Sequence, residues 1–270
     1  MLQESRPVDI GGLDFCVFMT PPAPVSVILL HGVTANLGIW APVVSYLSKR
    51  VQVVAIDQRG HGRSAKPSTG YGAADFAGDV ATLIESGRLA PRVFVVGHSL
   101  GARNAIELAA RRPELVEGIV AIDFTPYIET EVLDALDARV AGAPSQFETL
   151  ESVEDYLRGR YRHLPDGAIA TRARTGFARS EMGFQPLASA EAMSQTVAGL
   201  RADLAPALRQ LSVPTILVRG SESALVSEDA WARTQNLRPD ITAVELLGAD
   251  HYVPEEVPDQ VASVILGLTG

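Results

Sequence analysis

The segment VFVVGHSLGARNAIELAARR, residues 93–112, joins an apolar run to a helical pattern through one short turn. Residues 93–96 are typical of a strand that is buried on both faces, and the residues from Ala102 onward have helical spacing. The turn has the pattern G-x-S-x-G, which holds a serine in a strained strand-to-helix conformation. Because small neighbours such as Gly97 and Gly101 accommodate that conformation, we predict that Ser99 is a catalytic nucleophile.

Short apolar runs alternate with longer amphipathic segments along most of the chain. The predicted strands are residues 25–30, 51–56, 93–96, 118–122, 213–218 and 241–247. Helical patterns occupy residues 40–48, 73–86, 102–111, 229–237 and 258–268. This order predicts an α/β fold with a mostly parallel central sheet flanked by helices. Residues 15–19 are a candidate for an additional antiparallel edge strand.

The alternation stops between Asp123 and Leu211, where the sequence has helical periodicity and no convincing strand. We therefore predict a core formed by residues 1–123 and 212–270, with residues 124–211 inserted as a helical cap. Insertions of this length in a compact domain are usually functional, and this one follows a strand that ends at the expected ligand crevice. The cap is expected to cover the site.

Composition excludes several classes of protein. The 270 residues are 47% hydrophobic and 20% charged, which is typical of a globular protein. The net charge of −9 argues against nucleic acid or an anionic membrane as partner, although a homodimer is left open. A single cysteine, Cys16, excludes an internal disulfide, and the absence of a secretory pattern or long apolar stretch predicts a cytoplasmic protein. The histidine spacings and glycine patterns predict neither a metal nor a nucleotide cofactor.

A serine nucleophile needs a base and donors for the oxyanion. Of the five histidines, His251 follows the last predicted strand and precedes the final helix, so we predict that it is the base. The oxyanion donors are predicted to be the N–H groups of Leu100 and of Val33, which follows the first long strand. His31 is expected to fix that loop by hydrogen bonds.

Four motifs in the same order resemble the α/β-hydrolase superfamily. They are His-Gly at 31–32, DQRGHGRS at 57–64, GHSLG at 97–101 and GADH at 248–251. The usual triad acid of that family follows the strand before the histidine, but Ser223 occupies the matching position here. Asp123 stands at the end of the predicted strand at residues 118–122, a position at which a minority of the family carries the acid. It is the preferred candidate. Alternatives that remain open are Glu222, Asp229 and Asp250.

Two arginines interrupt apolar faces of the predicted cap. Arg139 lies near the face that carries Val132, Leu136 and Val140, and Arg160 and Tyr161 continue a face that begins at Val153. An inward arginine requires an anionic partner, because an unpaired buried charge is costly. The partner is either a substrate carboxylate or an acid of the cap itself, such as Glu129 or Asp155.

Longer stretches of the sequence resemble one group within that superfamily, the E-2-(acetamidomethylene)succinate hydrolases of bacterial vitamin B6 degradation. These stretches are residues 121–139, 159–161, 186–189 and 199–204. The resemblance implies that Asp123 is the acid and that Arg139, Arg160 and Tyr161 hold a small dicarboxylate substrate. It also implies cleavage of an acetyl enamide, without a cofactor, to acetate, ammonia, carbon dioxide and succinic semialdehyde.

Other functions are compatible with the same triad. A carboxylesterase or enol-lactone hydrolase acting on a carboxylate-bearing substrate is the main alternative, and a carbon–carbon hydrolase is another. A ligand receptor that keeps the fold belongs to a different class. It is disfavoured because Ser99, His251 and both glycines of the turn are present.

Overall fold

The structure is a computed structural model that describes Leu2 and residues 4–270. The strands are β1 (Arg6–Ile10), β2 (Leu13–Met19), β3 (Val25–Leu30), β4 (Gln52–Ile56), β5 (Arg92–His98), β6 (Gly118–Ile122), β7 (Phe177–Ser180), β8 (Gly183–Pro186), β9 (Thr215–Gly220) and β10 (Thr242–Leu246). The α-helices are α1 (Ala41–Leu47), α2 (Ala73–Glu85), α3 (Leu100–Arg111), α4 (Thr130–Ala141), α5 (Leu150–Arg160), α6 (Asp166–Gly176), α7 (Ala190–Leu200), α8 (Ala205–Gln210), α9 (Glu228–Leu237), α10 (Val253–Glu256) and α11 (Pro258–Thr269). Two 3₁₀ helices span Leu37–Trp40 and Pro113–Leu115.

Eight strands form one twisted sheet in the order β1-β2-β4-β3-β5-β6-β9-β10. All pairs from β4 to β10 are parallel, whereas β1 and β2 are antiparallel additions. The predicted α/β class with a mostly parallel sheet is confirmed. β2 is antiparallel as predicted but is not the edge, because β1 pairs outside it. Gly11 and Gly12, with φ of 64° and 85°, form the tight turn between them.

The central strands are buried on both faces because alternate side chains enter two separate apolar layers. In β3, Ile28 and Leu30 belong to one layer, which packs under α2, α3 and α8. Val27 and Leu29 belong to the other layer, which packs under α1 and α11. This double burial explains why the strands appear in the sequence as unbroken apolar runs.

Residues 124–211 contain α4 to α8 and also a hairpin, β7 and β8, so the expectation of no strand in this region is wrong. Each hairpin strand has four residues, too few for alternation to be recognised, and Gly183 enters β8 with φ of 115°. At the end of the segment, α8 packs against α3, and Leu204, Leu208 and Leu211 join the core layer. The division into core and cap stays a prediction.

The turn from β5 into α3 packs so closely that two of its positions have room only for glycine. A Cβ atom on Gly97 would overlap the backbone of Gly101, and one on Gly101 would overlap the backbone of Leu30 in β3. The first turn of α3 is therefore pressed against two central strands. Ser99, with φ of 54°, is presented between them at the carboxyl edge of the sheet.

This close approach predicts an unusually harmful small substitution. Gly101→Ala should lower the free energy of unfolding by about 1–3 kcal/mol, because neither backbone can move away. Gly78→Ala is the control, since its Cβ meets nothing within 4 Å inside α2 and should stabilise by up to about 1 kcal/mol. Urea unfolding of both variants measures this, and equal midpoints would contradict the packing argument.

Candidate active site

Asp123 and His251 meet at the carboxyl edge of the sheet. His251 Nδ1 donates to Asp123 Oδ2 over 2.6 Å. The carboxylate also accepts from Gly220 N at 2.9 Å and from Ser223 Oγ at 2.6 Å, and it is completely buried. Asp123 itself has φ of 51°, a strained conformation for a residue with a side chain. A buried charge with three donors is the arrangement that orients a histidine.

The other candidate acids lie elsewhere. Glu222 is exposed, and Asp229 is 80% exposed beside Arg233. The backbone N–H of Asp250 donates to Glu256, and His251 contacts none of these three carboxylates. Ser223, which occupies the position usual for the acid, instead donates its hydroxyl to Asp123. Of the four candidate carboxylates, the structure therefore brings only Asp123 to His251.

Ser99 precedes Leu100 in the chain and lies close to Gly32, the residue before Val33, since a Cβ atom on Gly32 would be 3.3 Å from Ser99 Cβ. Its N–H donates to Ile122 O over 2.8 Å, which ties the turn to the end of β6. Leu100 is the first residue of α3, so its N–H has no partner inside the helix, and Val33 packs against the apolar cluster to which Leu100 belongs. Among the described residues, Ser99 Oγ makes no hydrogen bond to His251, a contact that commonly tightens only when substrate binds.

His31 fixes the loop that carries Val33, as expected. Its Nδ1 donates to Gly32 O at 2.8 Å, and its Nε2 accepts from Gln58 N at 3.0 Å. Both ring nitrogens are therefore committed to the neutral form. Burial, with a further contribution from His61, holds the pKa of His31 well below its ordinary value. This histidine shapes the loop and is not free to accept a proton.

His98 connects the nucleophile turn to the loop of the candidate base. Its Nε2 donates to the backbone oxygen of His251 over 2.7 Å, and the two rings lie 4.8 Å apart. Burial, followed by the neighbouring His251, holds the pKa of His98 well below its ordinary value. The loop of His251 is thus anchored from the residue that precedes Ser99.

Two adjoining cavities lie over this machinery. The smaller, about 20 Å³, is bounded by His98, His251, Val33 and residues of α4. The larger, about 330 Å³, extends between α4, α5, α6 and α7. Four residues line both cavities: Thr34, Ala35, Tyr161 and Arg172. The cavity beside His251 is therefore contiguous with the larger space between α4, α5, α6 and α7.

Arg160 lines the larger cavity with unused donors. Its Nη1 donates to the Tyr156 hydroxyl at 2.6 Å, but Nε and Nη2 are buried and have no partner. The acids proposed as internal partners are engaged elsewhere, since Glu129 accepts from Ser227 and Asp155 pairs with Arg158. An internal salt bridge is therefore not formed at Arg160, and two donors remain for an anion.

Arg139 lies at the rim of the site and is not buried as its spacing suggested. The buried stripe of α4 is Leu133, Leu136 and Val140, so Leu133 and not Val132 faces inward. This one-residue rotation leaves Arg139 exposed, although it lines the smaller cavity beside His251. The described residues offer it no ion-pair partner.

Sequence reasoning missed three residues of this site, namely Tyr252, Arg172 and Glu255. Tyr161 is buried as expected, but it packs edge to face on Tyr252 at 4.9 Å and under the guanidinium of Arg172. Arg172 in turn pairs with Glu255. Spacing could have revealed Arg172, because it follows the buried Ala168 and Ile169 by four and three residues on α6.

The Tyr161 hydroxyl lies in a positive field. Burial alone would raise its pKa, but the charges of Arg172 and Arg160 outweigh burial and hold the pKa of Tyr161 below its ordinary value. Burial and the neighbouring Tyr161 raise the pKa of Tyr252 to about 12. The site therefore favours negative charge at the junction of the two cavities.

Among Leu2 and residues 4–270, no group of three or more His, Cys, Asp or Glu side chains is arranged to hold a metal ion. In the same part of the chain, no helix combines the length and the apolar character that crossing a membrane requires.

Buried histidines should make stability depend on pH. His61 donates from Nδ1 to Arg59 O, its Nε2 is buried without a partner, and burial lowers its pKa from 6.5 to about 4. The unfolded chain binds a proton between these values and the folded chain does not. The contribution of neutral His61 to the free energy of unfolding is therefore fully present above pH 6.5. Roughly 3 kcal/mol of that free energy is lost through this residue as the pH falls to 4.

The measurement is urea unfolding of the protein at pH 7, 5.5 and 4. His61→Asn keeps a donor toward Arg59 O and should flatten this dependence, whereas His163→Asn, on the exposed His163, should not. An unchanged pH slope in His61→Asn would contradict the prediction.

Comparison with known proteins agrees with this geometry. Residues 25–258 match the family model described as alpha/beta hydrolase fold. A curated relative from Mesorhizobium japonicum, named 2-(acetamidomethylene)succinate hydrolase, is 49% identical over 255 residues, which are 94% of this chain and 91% of that protein. A crystal structure of E-2-(acetamidomethylene)succinate hydrolase superposes with a TM-score of 0.93 at 48% identity, covering 98% of both chains.

A more distant structure shares the fold alone. The enol-lactonase from Burkholderia xenovorans superposes with a TM-score of 0.79 at 19% identity, covering 98% of this chain and 99% of that one. The mostly parallel sheet and the match to the family model agree on the family of this chain. The chain belongs to the α/β-hydrolase fold family and is a hydrolase.

Proposed function

We propose that this hydrolase cleaves the acetyl enamide bond of E-2-(acetamidomethylene)succinate or a closely similar small dicarboxylate. The observation that carries the proposal is the positive charge that lines two adjoining cavities, the smaller of which borders His251. Arg160 has two buried donors without a partner, and Arg139 has no ion pair in the described chain. The relative that is 49% identical and bears this activity in its name supports the same substrate.

The charges around Tyr161 match a dianion. Arg172 and Arg160 lie over its ring, with Cζ 4.4 Å and 5.5 Å from the centroid, and the charge of Arg139 also acts on its hydroxyl. One carboxylate, Glu255, neutralises Arg172. Two positive charges remain on Arg139 and Arg160. The unpartnered donors of Arg160 are buried, which is costly until an anion binds, whereas the exposed Arg139 adds a second positive charge beside His251. A ligand with two carboxylates is therefore favoured over one with none. Both arginines lie on cap helices, and the candidate triad lies on the core.

The candidate triad would act by acyl transfer. His251 Nε2 accepts the proton of the Ser99 hydroxyl as Ser99 Oγ attacks the acetyl carbonyl carbon. Asp123 holds Nδ1–H of His251 at 2.6 Å, which fixes the tautomer and stabilises the imidazolium that forms. The N–H groups of Val33 and Leu100 donate hydrogen bonds to the acetyl oxygen and stabilise the negative charge that develops on it.

Collapse of the tetrahedral intermediate then breaks the carbon–nitrogen bond. The imidazolium of His251 returns its proton to the departing nitrogen, which leaves as an enamine. Water, deprotonated by His251, attacks the acetyl carbon; the bond to Ser99 Oγ then breaks, acetate leaves, and His251 returns the proton to Ser99 Oγ. The enamine takes up a second water, loses ammonia and then carbon dioxide, and gives succinic semialdehyde.

The choice of acid is tested by two substitutions. Asp123→Asn should lower kcat about 10⁴-fold, because an amide cannot hold His251 in the productive tautomer. Glu222→Gln should leave kcat unchanged, since Glu222 is exposed and does not contact His251. Steady-state kinetics measures both, and the reverse ranking would exclude Asp123 as the acid.

The substrate is tested by acetate release from purified enzyme and E-2-(acetamidomethylene)succinate, with Ser99→Ala as the inactive control. Arg160→Met should raise KM about 10- to 100-fold, because hydrogen bonds to a charged group contribute about 1.5–3 kcal/mol. Arg158→Met, on the exposed face of the same helix, should leave KM unchanged.

Hydrolysis of a simple aryl acetate should be little affected by Arg160→Met. If wild type releases no acetate while a fluorophosphonate probe still labels Ser99, the substrate proposal fails and the acyl-transfer chemistry stands. Rapid turnover of carboxylate-bearing esters or enol-lactones would then favour the esterase or lactonase alternative.

A further inference from the structure

Arg172 joins the cap to the segment that follows His251 through a buried ion pair. From α6, its Nε donates to Glu255 Oε1 over 2.8 Å, and its Nη2 donates to Glu255 Oε2. Glu255 lies on α10, one helical turn beyond His251. The two side chains are only 7% and 2% exposed, so the contact is closed to water.

The same guanidinium lies against two tyrosine rings. Its Cζ is 4.4 Å from the centroid of Tyr161 and 5.1 Å from that of Tyr252. Tyr161 and Tyr252 meet edge to face, and the Tyr252 ring lies 5.2 Å from the ring of His251. A continuous series of contacts therefore runs from α6 to the candidate base.

Stability alone does not explain this pair. A buried ion pair often stabilises no more than apolar side chains of the same size, because both charges lose their hydration. Arg172 also lies at a particular place, since it lines both cavities. The comparably buried pair Arg59–Asp79 lines neither of them.

We propose that Arg172 is a positioning residue of this active site. Held by Glu255, it fixes the rings of Tyr161 and Tyr252 as the wall between the two cavities and sets the position of His251 relative to the cap. Its charge is neutralised by Glu255, so the substrate carboxylates are left to Arg139 and Arg160. The effect on substrate affinity rests on the proposed function, whereas the effect on His251 rests on the contacts alone.

The test is the double variant Arg172→Gln with Glu255→Gln. Both charges leave together, so no buried ion is left unpaired. The matched control is Arg59→Gln with Asp79→Asn, which removes a similarly buried pair that borders neither cavity. Thermal unfolding verifies that both variants are folded. Three activities are then compared: the rate of Ser99 labelling by a fluorophosphonate, hydrolysis of p-nitrophenyl acetate, and acetate release from E-2-(acetamidomethylene)succinate.

We expect the active-site double variant to lose about 100-fold in kcat/KM for the dicarboxylate, because a misplacement of about 1 Å has that effect on reactions that depend on orientation. The loss should be divided between kcat and KM. Ser99 labelling and aryl acetate hydrolysis should fall about tenfold, while the control keeps every rate within about twofold. Unchanged rates in the active-site variant, or equal losses in both variants, would overturn the proposal.

If the double variant does not fold, the single variant Arg172→Lys tests the proposal. Arg172→Lys keeps the charge beside Glu255 but lacks the planar face that packs on Tyr161 and Tyr252. It should slow Ser99 labelling about tenfold, and labelling at the wild-type rate would overturn the proposal. Failure of wild type to act on the dicarboxylate would overturn the proposed function only, since labelling and aryl acetate hydrolysis report on Arg172 independently.

Discussion

The buried carboxylate of Asp123 is the constraint on which the rest of the site depends. A charge without water is tolerated only where several donors converge on it, and here three donors come from two parts of the chain far from Asp123 in sequence. Gly220 ends β9, Ser223 lies in the next turn, and His251 follows β10. Satisfying one carboxylate therefore fixes three loops at the edge of the sheet.

The strain at Ser99 and Asp123 has the same origin. Both residues adopt positive φ at the ends of neighbouring strands, and each is held by a backbone hydrogen bond to the adjacent strand. Ser99 N donates to Ile122 O, and Asp123 N donates to Val218 O. Strain of this kind persists only where the surrounding structure holds it firmly. The parallel sheet provides that support because its strand ends lie side by side.

The sequence was sufficient for those parts of the fold that follow from local chemistry. Strands buried on both faces appear as apolar runs, and a serine between glycines marks the turn after β5. Asp123 was preferred over Glu222 on resemblance, and the hydrogen bond to His251 supports that preference. Ser223 illustrates the limit of motif reasoning, because a serine at the usual acid position has become a donor to the acid.

The remaining features depend on contacts between distant segments, which one sequence does not reveal. Periodicity identified the apolar face of α4 to within one residue, and that rotation moved Arg139 from the interior to the rim. The hairpin of β7 and β8 is too short to produce a pattern of its own. Arg172 has suitable spacing on α6, but its partner Glu255 lies 83 residues away along the chain.

Residues 124–211 join the candidate triad at two points, where adjacent residues make different contacts. Asp123 accepts a hydrogen bond from His251, and the next residue, Phe124, begins the chain that leads into α4. His251 donates to Asp123, and the next residue, Tyr252, packs on Tyr161, which directly follows α5. The inserted segment is therefore tied to the loops of both the candidate acid and the candidate base. Arg160, whose two buried donors have no partner, precedes Tyr161 in the chain, so its unpaired charge lies one residue from the ring that contacts Tyr252.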